Sequence, residues 1–219
     1  MLNKTFHIFL LILILFSFKI TLINYLEVHQ TKRIVNDVLT ENITNYDNNI
    51  IGWLKVNNTN IDYPVTQYSD NSYYLNHDLN GNISPSGWIF QDYRSNSALT
   101  SKNTIIYGHA RISDGTMFGS LYNILKSNWY LNKDNQIITY KTNDKINYYQ
   151  VFSTYIIPKE TYYLKTIFNN DNTYLNYLNT IKSRSYYNYN ITLTSKDLIL
   201  TLTTCYKDNK RLVLHAKLL

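Results

Sequence analysis

Cys205 is the only cysteine in a chain of 219 residues, and covalent chemistry is sought there first. A lone thiol makes no disulfide within its own chain. It is either a small buried hydrophobe, the common fate of a free cysteine, or a nucleophile. A cysteine nucleophile needs a base or cationic partner, and donors for the oxyanion formed when it attacks a carbonyl. Arg211 follows shortly and stays charged at any working pH; its bland alternative is an ordinary surface cation. Among the five histidines, His7 lies in an apolar run, His29 in the polar stretch after it and His77 in a polar loop. His109 and His215 remain.

Strand periodicity separates these two. Residues 200–205 alternate like a strand, 206–210 read as a turn, and 211–218 as a second strand. Paired as a hairpin, the strands put Arg211 beside Cys205 and His215 about 14 Å further along, at ~3.4 Å per residue. That is too far to share a proton with the thiol. Arg211, Val213, His215 and Lys217 share one face, so His215 is expected on a surface face. His109 ends a strand, as Cys205 does, after Gly108, which is expected to let the chain turn. Ile199, Thr201, Thr203 and Cys205 share a face, with Leu198, Leu200 and Leu202 opposite. If the leucines fill a core, Cys205 faces an outer groove floored by threonine.

The remaining elements must carry these strand ends. The chain holds 22 Tyr but only 6 Gly and 3 Pro, and tyrosine and isoleucine suit strands. Strands are expected at 53–56, 61–65, 88–91, 103–107, 136–141, 146–157, 197–204 and 211–218. Pro64 places the second at an edge or a strand end, and residues 142–145 read as a hairpin turn. Short helical segments are expected at 116–125 and 128–132, and polar 69–82 reads as a short helix or a loop. A longer helix over 172–182, capped by Asp171, would present Tyr174, Leu175, Leu178 and Ile181 as its apolar stripe. Eight short strands with inserted helices suggest a mainly β fold, an eight-stranded closed barrel with peripheral helices over residues 50–219. The net charge of +6 could favour nucleic acid, an anionic membrane or an anionic polymer. The lysines are scattered, which reads as solvated surface, so no nucleic-acid partner is expected.

Residues 6–18 are almost wholly apolar and the run resumes after Lys19. Through Leu26 it reaches the ~30 Å of a hydrocarbon core. No small-residue cleavage site follows it, so residues 1–26 are expected to form an uncleaved membrane anchor, a transmembrane helix. Residues 27–49 then read as a helical stalk with apolar positions at Val28, Ile34, Val35, Val38 and Leu39. Lys4 on one flank and Lys32 with Arg33 on the other leave the orientation open by charge alone.

Thr104-Ile105-Ile106-Tyr107-Gly108-His109 and Leu200-Thr201-Leu202-Thr203-Thr204-Cys205, with Arg211 opening the last strand, resemble the signature of sortases. These are membrane-anchored cysteine transpeptidases of Gram-positive bacteria. Residues 61–65, 70–75 and 115–118, and the helical insert before the cysteine strand, resemble class B in particular. The resemblance implies an eight-stranded barrel and a catalytic set of Cys205, His109 and Arg211. The Cys205 thiolate would cleave a sorting signal of the Asn-Pro-x-Thr or x-Pro-x-Thr-Gly type after its threonine. A cell-wall precursor amine would then resolve the thioester. Arg211 and the backbone N–H of Tyr206 would hold the oxyanion. Asn71, Leu75, Tyr107, Tyr163, Leu164 and Thr203 would line the peptide groove, although relatives often carry Ser where Thr203 stands. The partners implied are surface proteins bearing a C-terminal sorting signal, the peptidoglycan precursor and the membrane. No cofactor or metal is implied, and the catalytic domain would lie outside the cell. Two other readings stand beside this one: an inactive barrel that binds wall or substrate protein, and a peptidase that hydrolyses rather than transfers.

Overall fold

The computed structural model describes residues 4–40, 49–96, 98–142 and 145–219, in two compact units divided near Ile43. The first unit holds one unbroken helix, α1 (Lys4–Thr40). Within it Phe6–Asp37 is long and apolar enough to cross a membrane, with a mean hydropathy of 2.5 in its most apolar window. The helix continues through the anchor-to-stalk boundary expected at position 26. Residues 41–48 of the stalk expected over 27–49 lie outside the described residues, as does the middle of the hairpin turn at 142–145.

The second unit is a closed barrel of eight strands. These are β1 (Ile50–Val56), β2 (Asp62–Thr66), β3 (Phe90–Gln91), β4 (Asn103–Tyr107), β5 (Ile137–Lys141), β6 (Ile146–Pro158), β7 (Ile199–Tyr206) and β8 (Lys210–Leu218). Their order around the barrel is β1-β2-β3-β4-β7-β8-β6-β5, with β5 returning to β1. Two seams are parallel, β2 with β3 and β4 with β7; the other pairings are antiparallel. Closure leaves no long free edge. Pro64 sits mid-strand rather than at an end, and the reason is local. The β2–β3 seam is a single pair, Thr66 with Phe90, and the Pro64 carbonyl accepts the Trp88 indole N–H at 3.0 Å. Little ladder exists there for a proline to break.

The barrel interior holds Leu54, Val65, Ile106, Ile138, Tyr140, Leu200, Leu202, Leu212 and Leu214, all buried. The leucines of β7 point inward, as their alternation requires. The opposite face of β6, β7 and β8 is not a surface. The β6–β7 connection, residues 159–198, folds back over it and carries α3 (Asp171–Ser183). Asn170 caps α3, its side chain accepting from the Thr173 N–H, and Asp171 is the first helical residue rather than the cap. Tyr174, Tyr177, Leu178 and Ile181 form the buried stripe, with Tyr177 taking the place expected for Leu175. The stripe packs on Phe152, Tyr155, Ile157, Ile199 and Val213 in a second apolar core. Tyrosine suits this layer because each ring buries apolar area while its hydroxyl finds a partner. Tyr174 donates to the Lys102 and Asp197 carbonyls, and Tyr177 to that of Tyr163.

Candidate active site

Parallel pairing of β4 with β7 runs in register from Asn103 with Ile199 to Tyr107 with Thr203. Two residues beyond the last pair on each strand stand His109 and Cys205. The Thr204 hydroxyl donates to the Gly108 carbonyl at 2.6 Å and keeps the two chains together at that level. On the other side of β7, Cys205 pairs directly with Arg211. His109, Cys205 and Arg211 therefore form one row across three neighbouring strands, which stand roughly 4.8 Å apart. β7 runs past Cys205 to Tyr206 before the hairpin turns through Asp208 and Asn209, both at positive φ (54° and 57°). Asparagine and aspartate are the side chains that best tolerate this left-handed conformation.

Gly108 has a different reason from the turn expected of it. A Cβ there would lie 2.8 Å from the Phe118 ring, and Gly108 is not among the residues at positive φ. The site needs a close approach of backbone to ring, not an unusual backbone angle. That packing, with the Phe118 N–H donating to the His109 carbonyl at 3.0 Å, fixes where the imidazole leaves the chain. The imidazole itself is held from the 67–89 loop, whose Leu75 carbonyl lies 2.8 Å from Nε2 of His109. A carbonyl only accepts, so Nε2 carries the hydrogen and Nδ1 of the neutral ring is left as the proton acceptor.

The row opens into a groove of about 300 Å³. Cys205 is exposed and half-buried Arg211 lies beside it, with no carboxylate paired to Arg211 among the described residues. The six residues expected to line a peptide groove, Asn71, Leu75, Tyr107, Tyr163, Leu164 and Thr203, all line it. Lys159, Glu160 and Thr161 line it as well. The Tyr206 side chain does not; it stacks on Tyr122 with ring centres 4.9 Å apart, and the role expected of Tyr206 needs only its backbone N–H. His77 stacks on Tyr73 at 4.1 Å and stays within its own loop. Among the described residues no cluster of histidine, cysteine and carboxylate side chains could hold a metal ion.

Comparison with known proteins shows the family to which this barrel belongs. The Sortase domain family matches residues 54–219. The chain belongs to the sortase family. Sortase B of Listeria monocytogenes is 37% identical over 177 residues, covering 77% of this chain and 69% of that protein. The X-ray structure of Clostridium perfringens sortase B aligns with a TM-score of 0.76 at 35% identity, over 82% of this chain and 98% of that one. A Staphylococcus aureus sortase B–substrate complex aligns with a TM-score of 0.75 at 32% identity, over 93% and 98% of the two chains. The protein is a class B sortase, a cysteine transpeptidase built on the closed barrel read from its strands.

The sortase groove is held by residues that the motifs do not reveal. Asp92, fully buried, accepts two side-chain bonds from Arg94, at 2.9 and 2.7 Å, and one from the Tyr107 hydroxyl at 2.7 Å. Burial alone would raise its carboxyl, but the bonds from Arg94 and Tyr107 outweigh this and hold it below the usual carboxylate range. Arg94 also donates to the Leu164 carbonyl at 3.2 Å, so one clamp ties the groove floor at Tyr107 to its wall at Leu164. Asn103 supports the same wall, donating to the Tyr163 and Lys165 carbonyls at 3.2 and 2.9 Å. Asp92 and Arg94 carry only a faint signal in the sequence, an aspartate two residues before an arginine at a strand end.

His215 is not on a surface face. It is completely buried beneath the β6–β7 connection, its Nδ1 2.8 Å from the Thr201 hydroxyl and its Nε2 2.8 Å from that of Tyr155. Thr201 donates its own hydrogen to Asn103 Oδ1 at 2.6 Å, so Nδ1–H of His215 donates and Nε2 accepts. Burial pushes this histidine down to about 3, and it stays neutral. Strand alternation placed it on the correct face, but a face covered by 159–198 is not one that meets water.

Proposed function

We propose that this sortase acylates Cys205 with the threonine of a sorting signal and passes the acyl group to a cell-wall amine. The observation that carries the reading is the row of His109, Cys205 and Arg211 opening into a groove lined by the six expected side chains. The Cys205 thiolate attacks the threonine carbonyl of an Asn-Pro-x-Thr or x-Pro-x-Thr-Gly signal. The carbonyl π-pair moves onto oxygen, and Arg211 with the Tyr206 N–H stabilises that charge. A guanidinium with no carboxylate partner among the described residues suits this task because it stays charged and donates in a fixed fork. The C–N bond then breaks as protonated Nδ1 of His109 gives its hydrogen to the leaving amine, which leaves a thioester. A peptidoglycan-precursor amine attacks the thioester, Nδ1 of His109 takes its proton, and the C–S bond breaks to release product and thiolate. The relatives support the substrate class, since one of them is a sortase B crystallised with its substrate. The apolar α1 helix supports a single-pass anchor within residues 1–26, ahead of a stalk over 27–49 and a catalytic domain from 50 onward; an outward-facing domain with the amino terminus inside follows from the sortase reaction proposed here, not from the helix.

The test is cleavage of a quenched sorting-signal peptide, with and without an amine acceptor. Cys205→Ala is expected to abolish turnover, and added amine is expected to divert product from acid to amide. Intact-protein mass spectrometry with a thiol-reactive vinyl sulfone should show one adduct on the wild type. Unchanged cleavage by the variant sinks the mechanism, and an unreactive thiol with no cleavage leaves a binding barrel. Product that stays acid at every amine concentration makes the protein a hydrolytic peptidase.

A further inference from the structure

The catalytic groove does not end at Leu164. A second basin of about 540 Å³ adjoins it, sharing Asn71, Tyr107, Thr161 and Leu164 and adding Arg94, Lys165, Thr166 and Ile167. None of His109, Cys205 and Arg211 lines it. We propose that this basin is a subsite for the stretch of substrate chain immediately preceding the sorting motif, and that it selects an acidic side chain near an apolar one. The inference rests on the reaction proposed above, in which the acyl part of the substrate stays on Cys205.

The path follows from that attachment. The acylated carbonyl lies at Cys205, and the chain runs back from it through the motif. Four extended residues span at most about 14 Å. The substrate chain must then leave the groove, still joined to its own protein. The wall shared at Thr161 and Leu164 makes the second basin continuous with the groove that the chain leaves.

The selectivity follows from which charges are already spent. Arg94 is neutralised by Asp92, its fork closed on that carboxylate. Glu160, on the rim of the catalytic groove, pairs with Arg184 at 3.4 Å. Lys165 has no carboxylate partner among the described residues; its ammonium lies 5.9 Å from the centre of the Phe168 ring. Of the two cations lining this basin, it is therefore the one available to a ligand. Ile167, two residues on, is 79% exposed. The chain leaves the Tyr162–Leu164 turn extended at Lys165 (φ −72°, ψ 130°) and has no helical residue before Asp171. Lys165 and Ile167 both line the basin. An extended substrate with a carboxylate and an apolar side chain two residues apart matches both.

The experiment uses the full chain in a zwitterionic detergent and three fluorogenic peptides with one motif. They differ only in the three preceding residues: acidic with apolar, glycine with serine, or lysine-rich. The acidic peptide is expected to show a KM about two- to fivefold below the glycine-serine peptide, the range of an exposed ion pair. Its kcat should be the same, and the advantage should shrink at high salt. Lys165→Glu should reverse the order of the acidic and lysine-rich peptides, with the glycine-serine peptide as the reference within each protein. Equal KM values for all three on the wild type, or an order that survives Lys165→Glu, would overturn the subsite. Cleavage of none of the three would sink the underlying reaction instead, and the subsite with it.

Discussion

Cys205 with Arg211 and Thr201 with His215 are two paired positions on one face of the same two strands, four residues apart. One pair is open to a groove and the other is completely shut from water. The strands do not make this difference, because their register and alternation are continuous through both. The cover makes it. The β6–β7 connection packs α3 over Phe152, Tyr155, Ile199 and Val213, and its Tyr162–Leu164 turn becomes the wall of the groove. Where the cover lies flat a histidine becomes neutral structure. Where it ends, a cysteine and an arginine of the same face become reachable. A catalytic face is defined here by the edge of the layer laid over it.

The two histidines give the sharpest way to break that contrast. His109→Asn should lower kcat/KM by roughly a thousandfold, within the range for a lost general acid–base. The melting temperature should stay near that of the wild type, since the imidazole is tied only to the rim, through the Leu75 carbonyl, among the described residues. His215→Gln should do the reverse, lowering the melting temperature by disturbing the bonds to Thr201 and Tyr155 while leaving activity per folded molecule largely intact. Thermal melts beside active-site titration would read both. Equal loss of activity from both variants would erase the distinction between the open and covered ends.

Acid should act on the covered end before the open one. The unfolded chain protonates His215 near 6.5 whereas the folded protein does so only at about 3, so the unfolded state binds more protons between those values. Stability from this group is complete above 6.5 and drains as pH falls through that window. Between pH 7 and pH 4.5 the loss is roughly 2–3 kcal/mol, at ~1.36 kcal/mol per unit. Asp92 lies below the usual carboxylate range, so its contribution is present above about pH 4 and is lost only as pH falls further. Chemical denaturation at the two pH values should show the slope, and His215→Gln should flatten it. A wild type equally stable at both would contradict a neutral, water-excluded histidine.

How much of this was legible from residues alone follows the same division. Alternation of Leu198, Leu200 and Leu202 against Thr201, Thr203 and Cys205 is a local pattern, and it identified both the core face and the strand end that carries the thiol. Hairpin register placed His215 four residues along the strand from the Cys205 pair, as the structure has it, because strand rise is nearly constant. The environment of His215 was not legible: what covers a sheet face comes from a segment far away in the chain, and no period within the strand reports it. Gly108 shows the same limit, its neighbour Phe118 being brought to it by folding. The capping residue of α3 was displaced by one because Asn170 and Asp171 are both competent caps, and only the Asn170–Thr173 exchange decides between them. Asp92 and Arg94 are not legible in the sequence, because a buried carboxylate clamped by an exposed arginine looks there like two surface charges.

That ion pair offers a smaller perturbation, confined to the seam between the open and covered regions. Arg94→Lys keeps a cation for buried Asp92 but removes the fork that also reaches the Leu164 carbonyl. Loss of one charge-assisted bond at 3.2 Å, near the weak end of its kind, should raise KM for the sorting peptide about tenfold. kcat should change little, because Arg94 does not line the groove that holds His109, Cys205 and Arg211. Steady-state kinetics would show the split. A fall in kcat with KM constant would mean that the clamp serves the reacting groups rather than the wall.

Thr203 lies between the two ends and should give the smallest effect. Its hydroxyl is 3.0 Å from that of Tyr163, joining the groove floor to the wall, and its neighbours on the same face are buried Thr201 and exposed Cys205. If the hydroxyl is what matters, Thr203→Ser should leave KM within about fourfold, since it removes one methyl and ~0.8 kcal/mol of burial at most. Thr203→Val preserves the shape but leaves the Tyr163 hydroxyl without this partner, and an unmade neutral bond of ~1 kcal/mol corresponds to about fivefold in KM. The paired comparison separates packing from hydrogen bonding at one position. A larger loss in the serine variant than in the valine variant would mean that the methyl group packs the groove floor and that Tyr163 holds its place without Thr203.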